Sequence, residues 1–123
     1  DSSKEASKDP SAPKMTEYPN DESTPSFVQI LAHKDHYHGK NIQIAGYLRV
    51  EFEGTAIYLC KEHADYVITT NGFSVTLSKA AAKFDRKYVL LEGTFDKNYR
   101  GHFNGWAGGI RNVTRILELT KHE

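Results

Sequence analysis

The sequence predicts a small all-β barrel with minor helical content, and three observations carry this prediction. Between Gly39 and Cys60, apolar and polar residues alternate over a long stretch, which is typical of a strand with one face in a core. Shorter alternating stretches recur downstream, separated by turn and helix signals. Gly46 and Gly93 fall on the inward phase of two stretches, where glycine weakens a strand unless the chain bends or another backbone comes close. A small closed barrel needs such corners.

The long stretch predicts the first two strands as a β-hairpin. The predicted inward set of the first strand is Ile42, Ile44, Gly46, Leu48, Val50 and Phe52. Glu53-Gly54 is the predicted turn, and Ala56–Leu59 the returning strand. Glu51 and Glu53 point the same way beside this turn, and we interpret them as solvated edge charges rather than as an acid–base pair.

A short N-terminal helix is predicted ahead of the hairpin. Thr24 is a candidate N-cap and Pro25 fits the first helical position. The apolar face of the helix holds Phe27, Ile30 and Leu31, and we expect it to cover one end of the barrel. Gly39 is the expected stop of the helical segment.

The remaining elements complete a recognisable order. Lys61–Thr70 has no clear pattern and is predicted to be irregular. The predicted third strand follows at Phe73–Leu77, and a short helix capped by Ser78 follows at Lys79–Phe84. The fourth strand is predicted at Tyr88–Phe95 and the last strand at Ile110–Leu119. The apolar phase slips inside the last strand, which predicts a β-bulge near Asn112–Thr114. Five strands with one helix between the third and the fourth is the layout of the OB-fold, a five-stranded Greek-key barrel.

The chain divides into a polar segment and one domain. Residues 1–23 contain three basic against six acidic side chains and almost no large apolar ones, so this segment is predicted to be disordered. Residues 24–123 form the predicted OB-fold-like barrel domain. Two interpretations of the segment stay open: a tether behind a lipid anchor or signal segment upstream of Asp1, or a passive tail.

Composition narrows the classes of function. The 16 basic and 16 acidic residues balance, so the chain lacks the basic footprint of a dedicated nucleic-acid-binding domain. No apolar run approaches the roughly 18 residues of a membrane span. Cys60 is the only cysteine, which excludes an intrachain disulfide. The sequence contains no nucleophile elbow, P-loop or H-E-x-x-H motif, so we expect a non-enzymatic protein without a cofactor.

The loop between the fourth and fifth strands is the candidate ligand-binding site. In OB-folds, the loops after strands one and four flank the face that binds oligonucleotides or oligosaccharides. Aromatic rings and neighbouring cations suited to such contacts are Lys97, Tyr99, Arg100, His102, Phe103 and Trp106. Three uses stay open: Phe103 and Trp106 plug the barrel, the loop binds a protein or another envelope ligand, or it binds single-stranded nucleic acid. The short acidic turn at Glu53-Gly54 disfavours nucleic acid.

A metal site has only weak sequence support. The candidate ligands are His36, His38, Cys60 and His63, of which the last two have C-x-x-H spacing. Zinc requires four converging ligands, and no second motif of this kind is present. We therefore expect no metal, with His38 closing a helical segment and Cys60 acting as a core thiol.

Several short motifs, spread along the chain, resemble those of a known family. They are Tyr37-His38-Gly39-Lys40, Gly46-Tyr47-Leu48, Phe52-Glu53-Gly54, Glu92-Gly93-Thr94-Phe95, Gly101-His102, Gly109-Ile110 and Arg115-Ile116. Over about residues 27–117 the sequence resembles a family of small bacterial proteins, often with an export signal, that are taken to be OB-fold-like. The motif residues are mostly glycine, aromatic and aliphatic, so the resemblance implies a fold rather than catalytic or binding residues.

Two functional hypotheses follow, and a third, an enzyme of unknown type, is disfavoured by the absence of catalytic motifs. The first is an exported, membrane-tethered binding module that engages a partner in the bacterial envelope or periplasm. The alternative is a single-stranded nucleic-acid-binding OB-fold protein, for which a cytoplasmic location is the matching expectation.

Overall fold

The structure, a computed structural model, describes residues 25–121, in which five strands close into a barrel. The strands are β1 (Asn41–Arg49), β2 (Ala56–Tyr58), β3 (Gly72–Val75), β4 (Lys87–Asp96) and β5 (Gly109–Glu118). Their order is β1-β2-β3-β5-β4, with β4 pairing back onto β1. The β3–β5 pair is parallel and the other pairs are antiparallel. The predicted all-β, OB-fold-like barrel is therefore confirmed, whereas the predicted disordered segment 1–23 lies outside the described residues.

Short helices connect the strands. The α-helices are α1 (Phe27–Ala32), α2 (Lys34–Tyr37) and α3 (Lys61–Asp65), and the 3-10 helices are Thr69–Asn71, Lys79–Phe84 and His102–Asn104. The helix predicted between the third and fourth strands is thus present, in 3-10 form. Within residues 25–121, no helix combines the length and the apolar character needed to span a membrane.

The first helix begins two residues later than predicted, after Ser26. The Ser26 side chain accepts a hydrogen bond from the Gln29 amide at 3.0 Å, and the Gln29 side chain accepts one from the Ser26 amide at 2.8 Å. This reciprocal capping box satisfies two amides that a helix start leaves without partners. Thr24, the predicted N-cap, lies outside the described residues. The prediction missed the Ser-x-x-Gln pattern, which selects Ser26.

The main core fills the barrel and includes α1. The Phe27 ring stacks on Phe73 at 4.7 Å, and Phe73 meets Phe95 edge-on at 5.3 Å. Ile30 is fully buried in the same cluster. The apolar face of α1 thus packs into the barrel core, as predicted from its helical spacing.

The first strand ends at Arg49, three residues earlier than the alternation predicted. The Val50 amide donates to the Asp85 Oδ1 at 2.7 Å, and the Gly54 amide donates to the Glu51 carbonyl at 3.2 Å. These bonds form a six-residue β1–β2 loop, Val50–Thr55, instead of a two-residue turn. The prediction that Phe52 faces the core is therefore wrong: its side chain is 91 % exposed.

The segment 61–70, predicted to be irregular, contains α3 and builds a second small core. Tyr47, predicted to face outward, is buried there with Tyr58, Ala64 and Trp106. Leu48 and Ile57, which adjoin Tyr47 and Tyr58 in sequence, belong to the barrel core, so this cluster lies on the outer face of β1 and β2. Both faces of the wall are buried here, and a period of two alone does not reveal a second covering layer.

The predicted bulge in the last strand is confirmed. Glu92 lies opposite Arg115 and Thr94 opposite Arg111, so three residues, Asn112–Thr114, face the single Gly93. Asn112 has φ +52°, the left-handed conformation that asparagine tolerates better than most residues.

Gly46 and Gly93 are sites of close backbone approach, as predicted. A Cβ at Gly46 would lie 2.7 Å from both Ile57 Cγ1 and the Tyr58 carbonyl oxygen. A Cβ at Gly93 would lie 2.7 Å from Ile110 Cγ2 and 2.8 Å from the carbonyl oxygen of the next strand. All of these distances are shorter than carbon–oxygen and carbon–carbon contacts allow, so the strands can approach this closely only if these two residues are glycine.

We expect Gly46→Ala to lower the free energy of unfolding by about 1–3 kcal/mol, because the new methyl group overlaps a strand backbone that cannot move aside. Urea denaturation monitored by circular dichroism measures this change. Gly54→Ala is the matched control, since its Cβ would meet nothing closer than 3.7 Å, and it should change stability by less than about 0.5 kcal/mol. Equal effects of the two substitutions would contradict the role given to Gly46.

Candidate functional site

Two loops meet beside β3 and form a cleft. The β1–β2 loop contributes one wall and the β4–β5 loop, residues 97–108, contributes the other. The cleft has a volume of about 400 Å³ and is lined by Glu53, Gly54, Thr55, Ser74, Val75, Thr76, Leu77, Tyr99, Gly101 and His102. His102 Nε2 lies 3.5 Å from Glu53 Oε1, so the two loops touch through this pair of side chains. We call the outer edge of the two loops the rim.

The β4–β5 loop is held to the barrel by Tyr99. Its hydroxyl accepts a hydrogen bond from Thr76 Oγ1 at 3.0 Å, and the Arg111 guanidinium lies 5.0 Å from its ring centroid. Gly109 lies against the same ring, where a Cβ would come within 2.2 Å of Tyr99 Cδ2. Tyr99 is therefore a wall of the cleft and fixes where the loop begins.

Trp106 holds the other end of this loop, and it is buried, with only 9 % of its surface exposed. Its Nε1 donates a hydrogen bond to the Tyr58 hydroxyl at 3.2 Å. Arg100 Nε donates to the Trp106 carbonyl at 3.0 Å and completes the attachment. Trp106 thus lies outside the main barrel core, and little of its ring is exposed. It covers the outer face of β1 and β2.

Burial also affects the chemistry of Tyr58. Removal from water disfavours the phenolate and raises the pKa of Tyr58, and the hydrogen bond from Trp106 opposes this effect only partly. Tyr58 therefore remains a neutral hydrogen-bond acceptor for the indole over the ordinary pH range. The structural link between the loop and β2 persists over the same range.

The structure separates the six predicted binding residues. His102 and Phe103 lie at the rim, Tyr99 in the cleft wall, and Trp106 in the second core. The Lys97 ammonium bonds Asp35 of α2 at 2.6 Å and holds the pKa of that carboxyl below its usual value. Arg100 is partly used by its bond to the loop backbone. The assignment of these residues to ligand binding stays a prediction.

Phe52 was missed as a rim residue. Phe52 is 91 % exposed and precedes Glu53 in sequence, and Phe103 is 88 % exposed and follows His102. Glu53 and His102 are the two residues through which the loops touch. The rim therefore presents two aromatic rings, one from each loop. The signal in the sequence was the Glu-Phe-Glu-Gly run, which suits a loop tip as well as a strand end.

The backbone of the rim adopts a rare conformation. Glu53, Phe103 and Asn104 have φ values of +57°, +62° and +54°. Left-handed backbone costs about 1–3 kcal/mol at a residue other than glycine. In addition, each exposed phenylalanine forgoes the roughly 1.5–3 kcal/mol that burial of its side chain would contribute. Neither feature stabilises the barrel, and such combinations are concentrated at binding surfaces.

The weak metal candidates are not assembled into a ligand set. Among residues 25–121, no three or more His, Cys, Asp or Glu side chains are grouped so that they could hold a metal ion. His38 Nδ1 accepts a hydrogen bond from the Lys97 amide at 3.1 Å, and His63 Nδ1 lies 3.4 Å from Asn71 Nδ2. Cys60 immediately precedes α3. The contacts of His38 and His63 and the position of Cys60 are thus part of the fold and do not bring these side chains together as metal ligands.

No protein-family model matches this sequence, and the search of curated proteins finds no match. The fold and the site define the class of protein on their own: a closed, OB-fold-like barrel whose two loops form a rim with exposed aromatic rings.

We expect Tyr58→Phe to lower the free energy of unfolding by about 1–3 kcal/mol, because the Trp106 indole would be left buried without an acceptor. Tyr66→Phe, at an exposed tyrosine, should change it by less than about 0.5 kcal/mol. Chemical denaturation of both variants at neutral pH makes the comparison. If Tyr58→Phe left the free energy of unfolding unchanged, the attachment of the loop through Trp106 would be contradicted.

The same contact predicts an alkaline pH dependence. The pKa of Tyr58 is raised in the folded state above its usual value of 10.0, so the unfolded chain loses this proton first as the pH rises. Its contribution to stability is therefore complete below about pH 10 and declines as the pH rises further. Stability measured across this range should fall more steeply in the parent protein than in Tyr58→Phe.

We expect Phe103→Gly to raise the free energy of unfolding by about 0.5–1 kcal/mol, because glycine relieves the left-handed backbone at little loss of packing. Phe52→Gly is the control: this residue is equally exposed but has no positive φ, so glycine should lower stability by about 0.5 kcal/mol. Denaturant titration of both variants tests the difference. Destabilisation by Phe103→Gly would show that its ring contributes to the fold.

Proposed function

We propose that this protein is a non-enzymatic binding module of the bacterial cell envelope that engages a protein partner through the rim. One observation carries the proposal: two phenylalanine rings, Phe52 and Phe103, are almost fully exposed on two loops that touch through Glu53 and His102. Aromatic residues are enriched among the side chains that dominate the energy of protein interfaces. The contact between these two side chains sets the two loops side by side, so one partner can contact both rings.

The attachment of both loops to the barrel supports this use. Tyr99 and Trp106 attach the β4–β5 loop at both ends, and the hydrogen bonds of the Val50–Thr55 segment define the other loop. A contact surface that is already ordered loses less conformational entropy when a partner binds. The exposed rings are therefore presented on ordered loops.

The location in the envelope is the less direct part of the proposal. It rests on the resemblance to small exported bacterial proteins and on the polar character of residues 1–23, which suits a tether. A lipid anchor upstream of Asp1 belongs to the same proposal. A periplasmic location places the rim among envelope proteins.

Single-stranded nucleic acid is the alternative, and the geometry supports it less. The cleft is lined by Glu53 and by no lysine or arginine among the described residues. Trp106, the ring best suited to stacking on a base, is buried against Tyr58. Lys97 is engaged with Asp35 instead of being directed into the cleft. Nucleic-acid binding depends on both cations and accessible rings.

Photo-crosslinking from the rim tests the proposal. We would replace Phe52 or Phe103 with benzoylphenylalanine and irradiate each protein with an envelope fraction of the bacterium that encodes it. Both positions should yield the same crosslinked partner, identified by mass spectrometry. Val28 of α1, an exposed apolar residue outside both loops, is the control position and should not yield it. Phe103→Ser in the protein labelled at Phe52 should reduce that crosslink at least tenfold.

Two outcomes would contradict the proposal. One is the absence of a shared partner, or its equal capture from Val28. The other is binding of an oligothymidylate that weakens steeply as salt rises, measured by fluorescence anisotropy, since this dependence is characteristic of nucleic-acid binding. The second outcome would favour the alternative function.

A further inference from the structure

The edge of β5 that faces away from β4 has no strand beside it over most of its length. The β3–β5 pairing consists of Ser74 with Gly109 and Val75 with Ile110. From Arg111 to Glu118, no other strand within residues 25–121 pairs with this edge. After the bulge, Arg115–Glu118 runs in regular register with β4. An open, regular edge presents unpaired amides and carbonyls that can receive another strand.

A groove runs between this edge and the 3-10 helix Lys79–Phe84. Its volume is about 390 Å³. Leu77, Ala81 and Phe84 line one side, and Val113 and Ile116 line the other. In an added strand, alternate side chains point to the same face. An extended segment along β5 could therefore direct every second side chain into the groove.

The charges beside the groove select the partner. Lys83 and Arg115 line it, and no acidic residue does. Within the described part of the chain, neither has a carboxylate at ion-pair distance, whereas Glu118 of the same strand is paired with Lys87 at 3.5 Å. The charge lining the groove is thus positive: Lys83 lies 5.4 Å from the centre of the Phe84 ring, and Arg115 is the cross-strand neighbour of Glu92. Acidic side chains on an incoming segment would complement it.

We propose that β5 is a second binding site, which accepts an extended acidic peptide segment of a partner protein by strand addition along Arg115–Glu118. Backbone hydrogen bonds to the open edge supply the affinity. Apolar side chains in the groove and acidic side chains near Lys83 and Arg115 supply the specificity. This site does not involve the rim, so it stands independently of the function proposed above.

Synthetic peptides test the proposal on the intact protein. The probe alternates glutamate with valine and threonine, and its binding is followed by amide chemical shifts of the labelled protein. We expect shifts concentrated in residues 79–84 and 114–118. A peptide with lysine in place of each glutamate should bind at least tenfold more weakly. Lys83→Glu combined with Arg115→Glu should reverse this preference.

N-methylation separates strand addition from simple charge attraction. A strand has two hydrogen-bonding edges, each formed by alternate residues. Methylation of one alternate set of peptide amides should abolish binding, and methylation of the other set should leave it within about twofold of the parent peptide. This comparison uses the unmodified protein, so it remains decisive if the double variant fails to fold.

Several results would overturn the proposal. They are the absence of shifts at millimolar peptide, shifts confined to the rim, or equal binding of both N-methylated forms. Shifts of residues 114–118 that appear on concentrating the protein alone, together with slower diffusion, would instead identify a second copy of the chain as the occupant. The rim crosslinks are a separate readout, so failure here leaves the rim proposal standing.

Discussion

The close approach of backbones at Gly46 and Gly93 is the constraint on which the barrel depends. β1 pairs with β4 along Asn41–Leu48 and with β2 along Tyr47–Arg49, so one strand serves two neighbours in different parts of the wall. Where β1 passes from one partner strand to the other, Ile57 and the Tyr58 carbonyl lie close to the Cα of Gly46. A side chain at this point would separate β1 from β2 and open the barrel.

Closure of the barrel also determines where the two candidate surfaces lie. The closing pair, β3 with β5, holds two residues on each strand. Before this pair, the β4–β5 loop lies against the end of β3 and the start of β5, where Tyr99 bonds Thr76 and contacts Gly109. After it, β5 diverges from β3 and leaves its edge open. The short parallel β3–β5 pair therefore separates the two surfaces: the rim lies on the side of the β4–β5 loop, and the open edge lies along the rest of β5.

How far the sequence predicts this structure depends on the range of the interactions involved. The alternation in β4 correctly identified Val89, Leu91 and Phe95 as buried, because a strand repeats its pattern locally. The alternation continues to Phe52 and therefore predicts that Phe52 faces the core. The actual end of β1 depends on a hydrogen bond to Asp85, a side chain 35 residues away from Val50. The location of Trp106 depends on α3, which the sequence pattern did not reveal. Long-range contacts of this kind leave no periodic trace.

Within one loop, two aromatic residues have opposite roles, and this difference explains the position of the proposed contact surface. Trp106 is buried on the outer face of β2 and stabilises the attachment of the loop, so it covers the β2 part of the strand face that OB-folds use for stacking ligands. Phe103, three residues earlier, is exposed on strained backbone and contributes little to packing. Because this part of the strand face is covered, the exposed aromatic rings of the two loops are Phe103 and Phe52 at the rim. A rim of two phenylalanines with few cations is better suited to an apolar patch on a protein than to a phosphate backbone.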